Sequence, residues 1–404
     1  MRQGRSLMKT IVTLSLLAAA MLVTPVAAGA QEDSGGGQTT PANAPDLDVR
    51  AWALTDADSG RYLAGKNPDE RIPPGSTTKI MVALVALDEG VNLDEEVTVS
   101  ENAASYAGLI YSNVGLYPYD QVSVRELFRA ALIPSGTDAV YALCEHLGDG
   151  SVESCVQKMN QKAEELNLKN SHFDNPAGLD SSEHYSSARD LAIIARAAMK
   201  YPFFAETVST GYASITTQDR PIEFPNTNNL LEFYPAATGI KTGTTPQGGA
   251  SLVSSAESED ESYIAVVLDA PTDSVRFIAS EQALEYGIGS FDRKPLVNQD
   301  RVYKEMTLPF RRDESRKLVA TEEVSGLVGP GSEVERRVRA GELPPEAGTG
   351  EKLGEVELLI DGKSVESVPL VAREGYGNAS FWDRVQFYSV NFWRGTKAFF
   401  DGLS

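Results

Sequence analysis

The chain has 404 residues, with 57 acidic against 36 basic side chains, a formal charge of -21, three histidines and two cysteines. So acidic a chain is ill-suited to holding nucleic acid or to binding an anionic surface by charge alone, and its length allows one large domain and one small one. His146, His172 and His184 show neither an H-E-x-x-H pattern nor paired cysteine spacing, so no metal site and no cofactor is expected.

Residues 1–30 read as a secretory leader, with Arg2, Arg5 and Lys9 ahead of an apolar core and Ala28-Gly29-Ala30 as a small-residue cleavage site. Without those three cations the remainder carries a charge of about -24. The Gly-rich stretch that follows is a flexible tether, which makes 31–45 a linker. Beyond it the texture divides into a main domain over 46–294, a β-rich module over 295–373 and a tail over 374–404.

In the main domain, Val49-Arg50-Ala51-Trp52-Ala53-Leu54 alternates and returns through Arg61-Tyr62-Leu63, which predicts a β-hairpin. Pro73-Pro74-Gly75 then leads into Ser76-Thr77-Thr78-Lys79 and an apolar run over 80–87, the pattern of a buried core helix. Ser76 and Lys79 share a helix face at this spacing. A serine becomes a nucleophile when a base takes its proton, and a lysine can be that base when burial or a neighbouring cation keeps it neutral. The spacing alone carries little, because Ser6-Leu7-Met8-Lys9 in the leader repeats it.

Amphipathic segments at 122–133, 136–147, 152–167 and 187–200 predict a helical lobe. Cys144 and Cys155 flank a turn between two of these, which leaves a disulfide and two buried thiols both open. From about 205 the pattern turns to strands, notably 238–243, 250–255 and 263–268. The expected class is therefore α+β, one antiparallel sheet gathering both ends of the domain around a helical lobe. Asp361-Gly362 between alternating runs predicts a hairpin, and 295–373 as a whole a small β-sandwich.

In the tail, Phe381, Trp382, Val385, Tyr388, Phe392, Trp393, Phe399 and Phe400 recur at helical spacing, opposite Asp383, Arg384, Gln386, Arg394 and Lys397. Ser380 and Asp383 are placed for a capping box. Such a helix is too polar to span a bilayer and suits one lying in the membrane interface; packing on the protein itself is the alternative.

Two further triplets give Ser76 its meaning. Ser135-Gly136-Thr137 follows Leu132-Ile133-Pro134, and Lys241-Thr242-Gly243 ends a β-like run. In this order the three match the S-x-x-K, S-x-N and K-T-G set of serine penicillin-binding proteins and β-lactamases. Over 46–404 the chain resembles the low-molecular-mass penicillin-binding proteins, the D-alanyl-D-alanine carboxypeptidases. The likeness extends through Ser112-Asn113-Val114-Gly115-Leu116, Asn175-Pro176-Ala177-Gly178-Leu179-Asp180, His184-Tyr185-Ser186-Ser187-Ala188-Arg189-Asp190, Asn226-Thr227-Asn228-Asn229-Leu230-Leu231, and the C-terminal module and tail.

The resemblance implies a serine carboxypeptidase that acts on peptidoglycan stem peptides ending in D-Ala-D-Ala and is trapped by β-lactams, exported and held at the membrane surface through its tail. Ser76 would form the acyl-enzyme, Lys79 would be the base, its ammonium disfavoured by burial and by Lys241, and Ser135 would relay a proton to the departing amine. Lys241 and Thr242 would meet the terminal carboxylate, and the backbone N–H groups of Ser76 and Thr244 would form the oxyanion hole. Thr137 stands where the family usually has Asn, offering one hydroxyl in place of an amide, with an expected change in rate or substrate preference. His184 and Arg189 read as polar scaffold. Glu164-Glu165-Leu166-Asn167 imitates a β-lactamase deacylation motif inside a helix and is a decoy. A β-lactamase or peptidoglycan endopeptidase on the same fold, and a non-catalytic wall-binding protein, are the alternative readings.

Overall fold

The computed structural model describes residues 40–108, 111–218, 220–259 and 261–401, with the backbone alone at 395 and 397–401. The expected leader, residues 31–39 of the linker, and the side chains of Lys397, Phe399 and Phe400 lie outside the described residues.

Strands β1 (Ala51–Asp56) and β2 (Tyr62–Lys66) form the expected N-terminal hairpin. They join β3 (Ala237–Thr245), β4 (Gly249–Ser258) and β5 (Glu261–Ala270) in one antiparallel sheet of order β2-β1-β5-β4-β3. Between the two groups run α1 (Lys79–Asp88), α2 (Val124–Leu132), α3 (Thr137–Leu147), α4 (Val152–Glu165) and α5 (Ala188–Met199). The last four end within two residues of the amphipathic segments that announced them. Their starts are chemically marked: Ser123 and Glu126 close a capping box on α2, and the Ser151 and Ser187 hydroxyls cap α4 and α5.

Among the described residues the longest helix that was not expected is α6 (Asp273–Ser290), beside the short Pro202–Ser209 and Leu230–Phe233. Arg276, Ser280 and Gly287 sit on the buried side of α6, so the apolar stripe that signals a helix is broken. It covers the second face of the sheet. Ala51, Ala53, Ile264, Val266 and Leu268 point into the helical lobe, while Trp52, Leu54, Ala265 and Val267 point into the core that α6 closes. With both faces buried, residues 263–268 are apolar throughout rather than alternating.

Cys144 and Cys155 are joined by a disulfide that ties α3 to α4, which resolves the two alternatives left by their spacing. Residues 40–45, the end of the expected linker, are attached rather than free: Thr40 Oγ1 bridges the Gly65 backbone, and Tyr286 donates to Asn43.

Beyond α6, strand Asp292–Val297 runs across the expected boundary at 294 and pairs with Val324–Val328. A second, five-stranded antiparallel sheet takes the order Val302–Leu308, Arg311–Ala320, Lys363–Ala372, Lys352–Ile360, Val334–Arg339. Val297, Leu318, Val356, Val368 and Leu370 close its core. Asp361 (φ 53°) and Gly362 (φ 75°) are both left-handed, as the two-residue hairpin turn predicted there requires.

The tail forms α7 (Phe381–Asp401). Its expected capping box is present: Ser380 N donates to Asp383 Oδ2 at 2.7 Å, and Asp383 N to Ser380 Oγ at 3.2 Å. Among the described residues no helix is long and apolar enough to cross a membrane.

Candidate active site

The nucleophile candidate sits on a tighter bend than expected. Gly75–Thr78 is a single 3₁₀ turn, and α1 starts only at Lys79. Burial explains why a helix with no side-chain cap begins here, since residues 79–86 are all buried and tertiary packing outweighs local propensity. Strand β3, an edge of the sheet, runs directly against this turn. A Cβ on Gly243 would lie 2.6 Å from the Pro74 carbonyl oxygen and 3.2 Å from Ser76 N, so only glycine permits the approach. Gly75, at φ +59°, would bring a Cβ within 2.9 Å of Thr244 N. The Ser76 and Thr244 backbone nitrogens are thereby brought to the same junction.

Behind the turn, the Thr78 hydroxyl meets His184 Nε2 at 2.8 Å, and His184 Nδ1 lies 3.1 Å from Asp174 Oδ1. Burial is the main force holding the His184 imidazolium down, to about 4, so the ring is neutral at physiological pH. Thr78 is fully buried, which makes this hydroxyl–imidazole–carboxylate row a brace for the turn rather than a second nucleophile. Arg189 pairs with Asp69 and stacks on Tyr62. Glu164 lies exposed in α4.

Ser135 is held at φ +68° between Pro134 and Gly136. A left-handed non-glycine residue costs of the order of 1 kcal/mol and persists only where its surroundings enforce it. Here Gly136 N donates to the Ala130 carbonyl and Thr137 N to the Ser112 carbonyl. Asp138 completes the clamp: its fully buried carboxylate accepts from the backbone N–H groups of Val114, Gly115, Leu116 and Ala139, all at 2.9 to 3.2 Å. The Thr137 side chain is buried, and its hydroxyl has no hydrogen-bond partner among the described residues.

These elements converge on Lys79. Its Nζ lies 2.8 Å from Ser76 Oγ, 3.1 Å from the Ser135 carbonyl oxygen and 3.4 Å from Ser135 Oγ. As an ammonium, Nζ donates to all three oxygens; as a neutral amine it keeps two N–H donors and gains a lone pair that can take the Ser76 hydroxyl proton. Burial lowers the Lys79 pKa from 10.5 to about 7, against the opposing field of Asp138. The expected contribution of Lys241 falls the other way. Lys241 is also buried, and burial first, then the Lys79 and Arg276 charges, hold its ammonium well below the usual range.

Lys241 Nζ reaches the Thr242 carbonyl oxygen at 3.2 Å and its hydroxyl at 3.4 Å. Thr244 is exposed at the end of β3, where its hydroxyl accepts from Arg276 Nη1 at 2.8 Å. The same nitrogen donates to the Gly243 carbonyl at 3.0 Å. Arg276 was missed at the sequence level, because it belongs to no local motif and its helix was itself illegible. Three buried basic side chains, Lys79, Lys241 and Arg276, therefore converge on one end of β3. Among the described residues no group of acidic, histidine or cysteine side chains forms a metal cluster.

The family profile described as D-alanyl-D-alanine carboxypeptidase matches residues 38–272. D-alanyl-D-alanine carboxypeptidase DacF of Bacillus subtilis is 32% identical over 384 residues, covering 93% of this chain and 96% of that one. DacC of Escherichia coli is 34% identical over 359 residues, covering 85% and 88%. Among solved structures, penicillin binding protein 5 from Haemophilus influenzae aligns with a TM-score of 0.70 at 31% identity, over 84% of this chain and all of that one. The chain belongs to the D-alanyl-D-alanine carboxypeptidases, hydrolases of the serine penicillin-binding type.

Proposed function

We propose that Ser76 is the residue through which this carboxypeptidase works, with Lys79 as its base. The observation that supports this most is the 2.8 Å contact between Ser76 Oγ and a lysine whose burial lowers its pKa to about 7, so that a neutral amine is accessible there. Ser76 Oγ attacks the carbonyl of the penultimate D-alanine while its proton passes to Lys79 Nζ. The resulting oxyanion is held by the N–H groups of Ser76 and Thr244. Ser135 then hands its hydroxyl proton to the departing amine and is reprotonated by Lys79 Nζ, which returns to the neutral amine as the peptide C–N bond breaks and D-alanine leaves. Water cleaves the remaining ester.

Lys241, Thr242 and Arg276 receive the substrate's terminal carboxylate. Its negative charge restores the Lys241 ammonium, and that cation in turn keeps Lys79 deprotonated, so substrate prepares its own base. Thr137 faces the substrate with one hydroxyl that nothing else engages, where an amide would offer both a donor and an acceptor. With a soluble D-Ala-D-Ala pentapeptide, the full chain is expected to release D-alanine and Ser76→Ala to release none above background. Equal release from both would refute the serine mechanism.

The substrate belongs to the cell wall, outside the cytoplasm, and the Cys144–Cys155 disulfide suits an oxidising compartment. There α7 lies on the membrane surface. Its first turns dock on the module, with Phe387 against Phe310 and Asp383 near Arg311, while Phe381, Trp382, Tyr388, Phe392 and Trp393 stay exposed, both tryptophans by 74%. So many exposed aromatics on one helix mark a surface meant to be covered. Mixed zwitterionic and anionic phospholipid vesicles are expected to sediment the full chain and to leave a chain ending at residue 380 in solution, with unchanged release of D-alanine from soluble peptide. Equal sedimentation would remove the membrane role.

A further inference from the structure

Thr227, in the Asn226–Leu231 segment leading to β3, is outside the three catalytic triplets, yet it bonds to one of them and to the stretch that leads into another. Its N–H donates to the Ile133 carbonyl at 3.1 Å, two residues before Ser135. Its hydroxyl lies 3.4 Å from that same carbonyl and only 2.6 Å from the Thr242 hydroxyl. Thr242 is buried, and its oxygen also faces Lys241 Nζ at 3.4 Å.

Each hydroxyl has one proton to give, and at 2.6 Å one of the two must be donating to the other. Two arrangements satisfy this. In the first, Thr242 donates to Thr227 and Thr227 donates to the Ile133 carbonyl, which leaves Thr242 with no proton for a ligand. In the second, Thr227 donates to Thr242, and the Thr242 O–H is free to turn into the pocket. A carboxylate accepts and never donates, so only the second arrangement serves it.

We infer that Thr227 is a positioning residue for carboxylate recognition: by donating its hydroxyl proton to Thr242 it fixes the Thr242 oxygen as acceptor on that side and so turns the Thr242 O–H toward the substrate's terminal carboxylate, an orientation lost without the Thr227 hydroxyl. The inference rests on the reading that Lys241 and Thr242 receive that carboxylate. Thr227 itself does not touch the substrate. Its hydroxyl acts as a reversible partner, turned to Ile133 in the empty site and to Thr242 when an anion arrives. The backbone bond to Ile133 keeps it in reach in either state.

The test compares acylation rates by benzylpenicillin and by its methyl ester, which lacks the anionic carboxylate, in the full chain, Thr227→Val and Thr227→Ser. A charge-assisted hydrogen bond that is lost or misdirected corresponds to a change of about tenfold or more. Thr227→Val is expected to slow the acid by about that factor, to leave the ester rate within about twofold, and Thr227→Ser to restore the acid rate. Thr227→Ala is to behave as Thr227→Val, with thermal denaturation showing that each variant is folded. An equal loss with acid and ester, or no loss with either, overturns the role of Thr227 while leaving the carboxylate reading intact. Should the unsubstituted chain fail to distinguish acid from ester, the carboxylate reading itself falls, and this inference with it.

Discussion

Lys79→Met is expected to slow acylation of Ser76 by labelled penicillin by about 10³-fold, the usual size of a general-base contribution. In the unsubstituted chain the same rate is expected to rise with pH through a single step near 7. Burial lowers the Lys79 pKa from 10.5 to about 7, so below that value the amine is protonated and has no lone pair for the Ser76 proton. The same shift has an opposite consequence for stability. Because the folded pKa is depressed, the unfolded chain binds the extra proton between about pH 7 and 10.5. The burial cost is therefore fully present below about 7 and fades as pH rises to 10.5. That cost is on the order of 5 kcal/mol, part of it offset by the contacts to Ser76 and Ser135. Lys79→Met, a similar length without the charge, is thus expected to raise the denaturation temperature while silencing the site. An acylation rate flat across pH 7, or a variant that acylates normally, would remove Lys79 as the base.

Asp138→Ala should act in the reverse sense, destabilising the main domain by about 3 to 5 kcal/mol. The carboxylate is fully buried and accepts four backbone N–H bonds, three of them from consecutive residues Val114, Gly115 and Leu116. Alanine leaves all four donors without an acceptor. For a domain of this size that is a fall of roughly 10 °C in denaturation temperature. The loss should reach the site, because the segment that Asp138 anchors carries Ser112, whose carbonyl holds Thr137 N beside Ser135. Penicillin acylation is expected to fall even though Asp138 touches no substrate atom. Asp138→Asn retains one acceptor but turns an amide donor toward N–H groups, and is expected to recover little. A denaturation temperature unchanged by Asp138→Ala would show that the clamp is dispensable.

Much of this protein is readable without coordinates, because the signals concerned are local. Helices α2 to α5 announce themselves through a 3.6-residue apolar repeat, and all but α3 also through a serine cap. The Asp361-Gly362 turn follows from the two left-handed residues a tight hairpin needs. Ser76, Lys79, Ser135, Thr137, Lys241 and Thr242 all belong to short motifs whose order carries the family likeness, and Thr244 directly follows the last of them. What escaped detection did so for a common reason. Arg276 lies on a helix whose buried face carries Arg, Ser and Gly, so neither the helix nor its side chain has a periodic signature. Thr227 stands in a segment that carries the family likeness, but its partner becomes visible only where β3 folds back to within 2.6 Å of it.

The sequence by itself determined the family, the class of fold and the residues at which chemistry is to be sought, since these depend on residue type, spacing and order. Only the tertiary structure decided that Ser76 rides a 3₁₀ turn, that Cys144 bonds to Cys155, and that Lys79 and Lys241 are both buried deeply enough to disfavour their ammonium forms. Each of those depends on burial and on distances between segments far apart in the chain, and the free energy of a charge is set by what surrounds it in space.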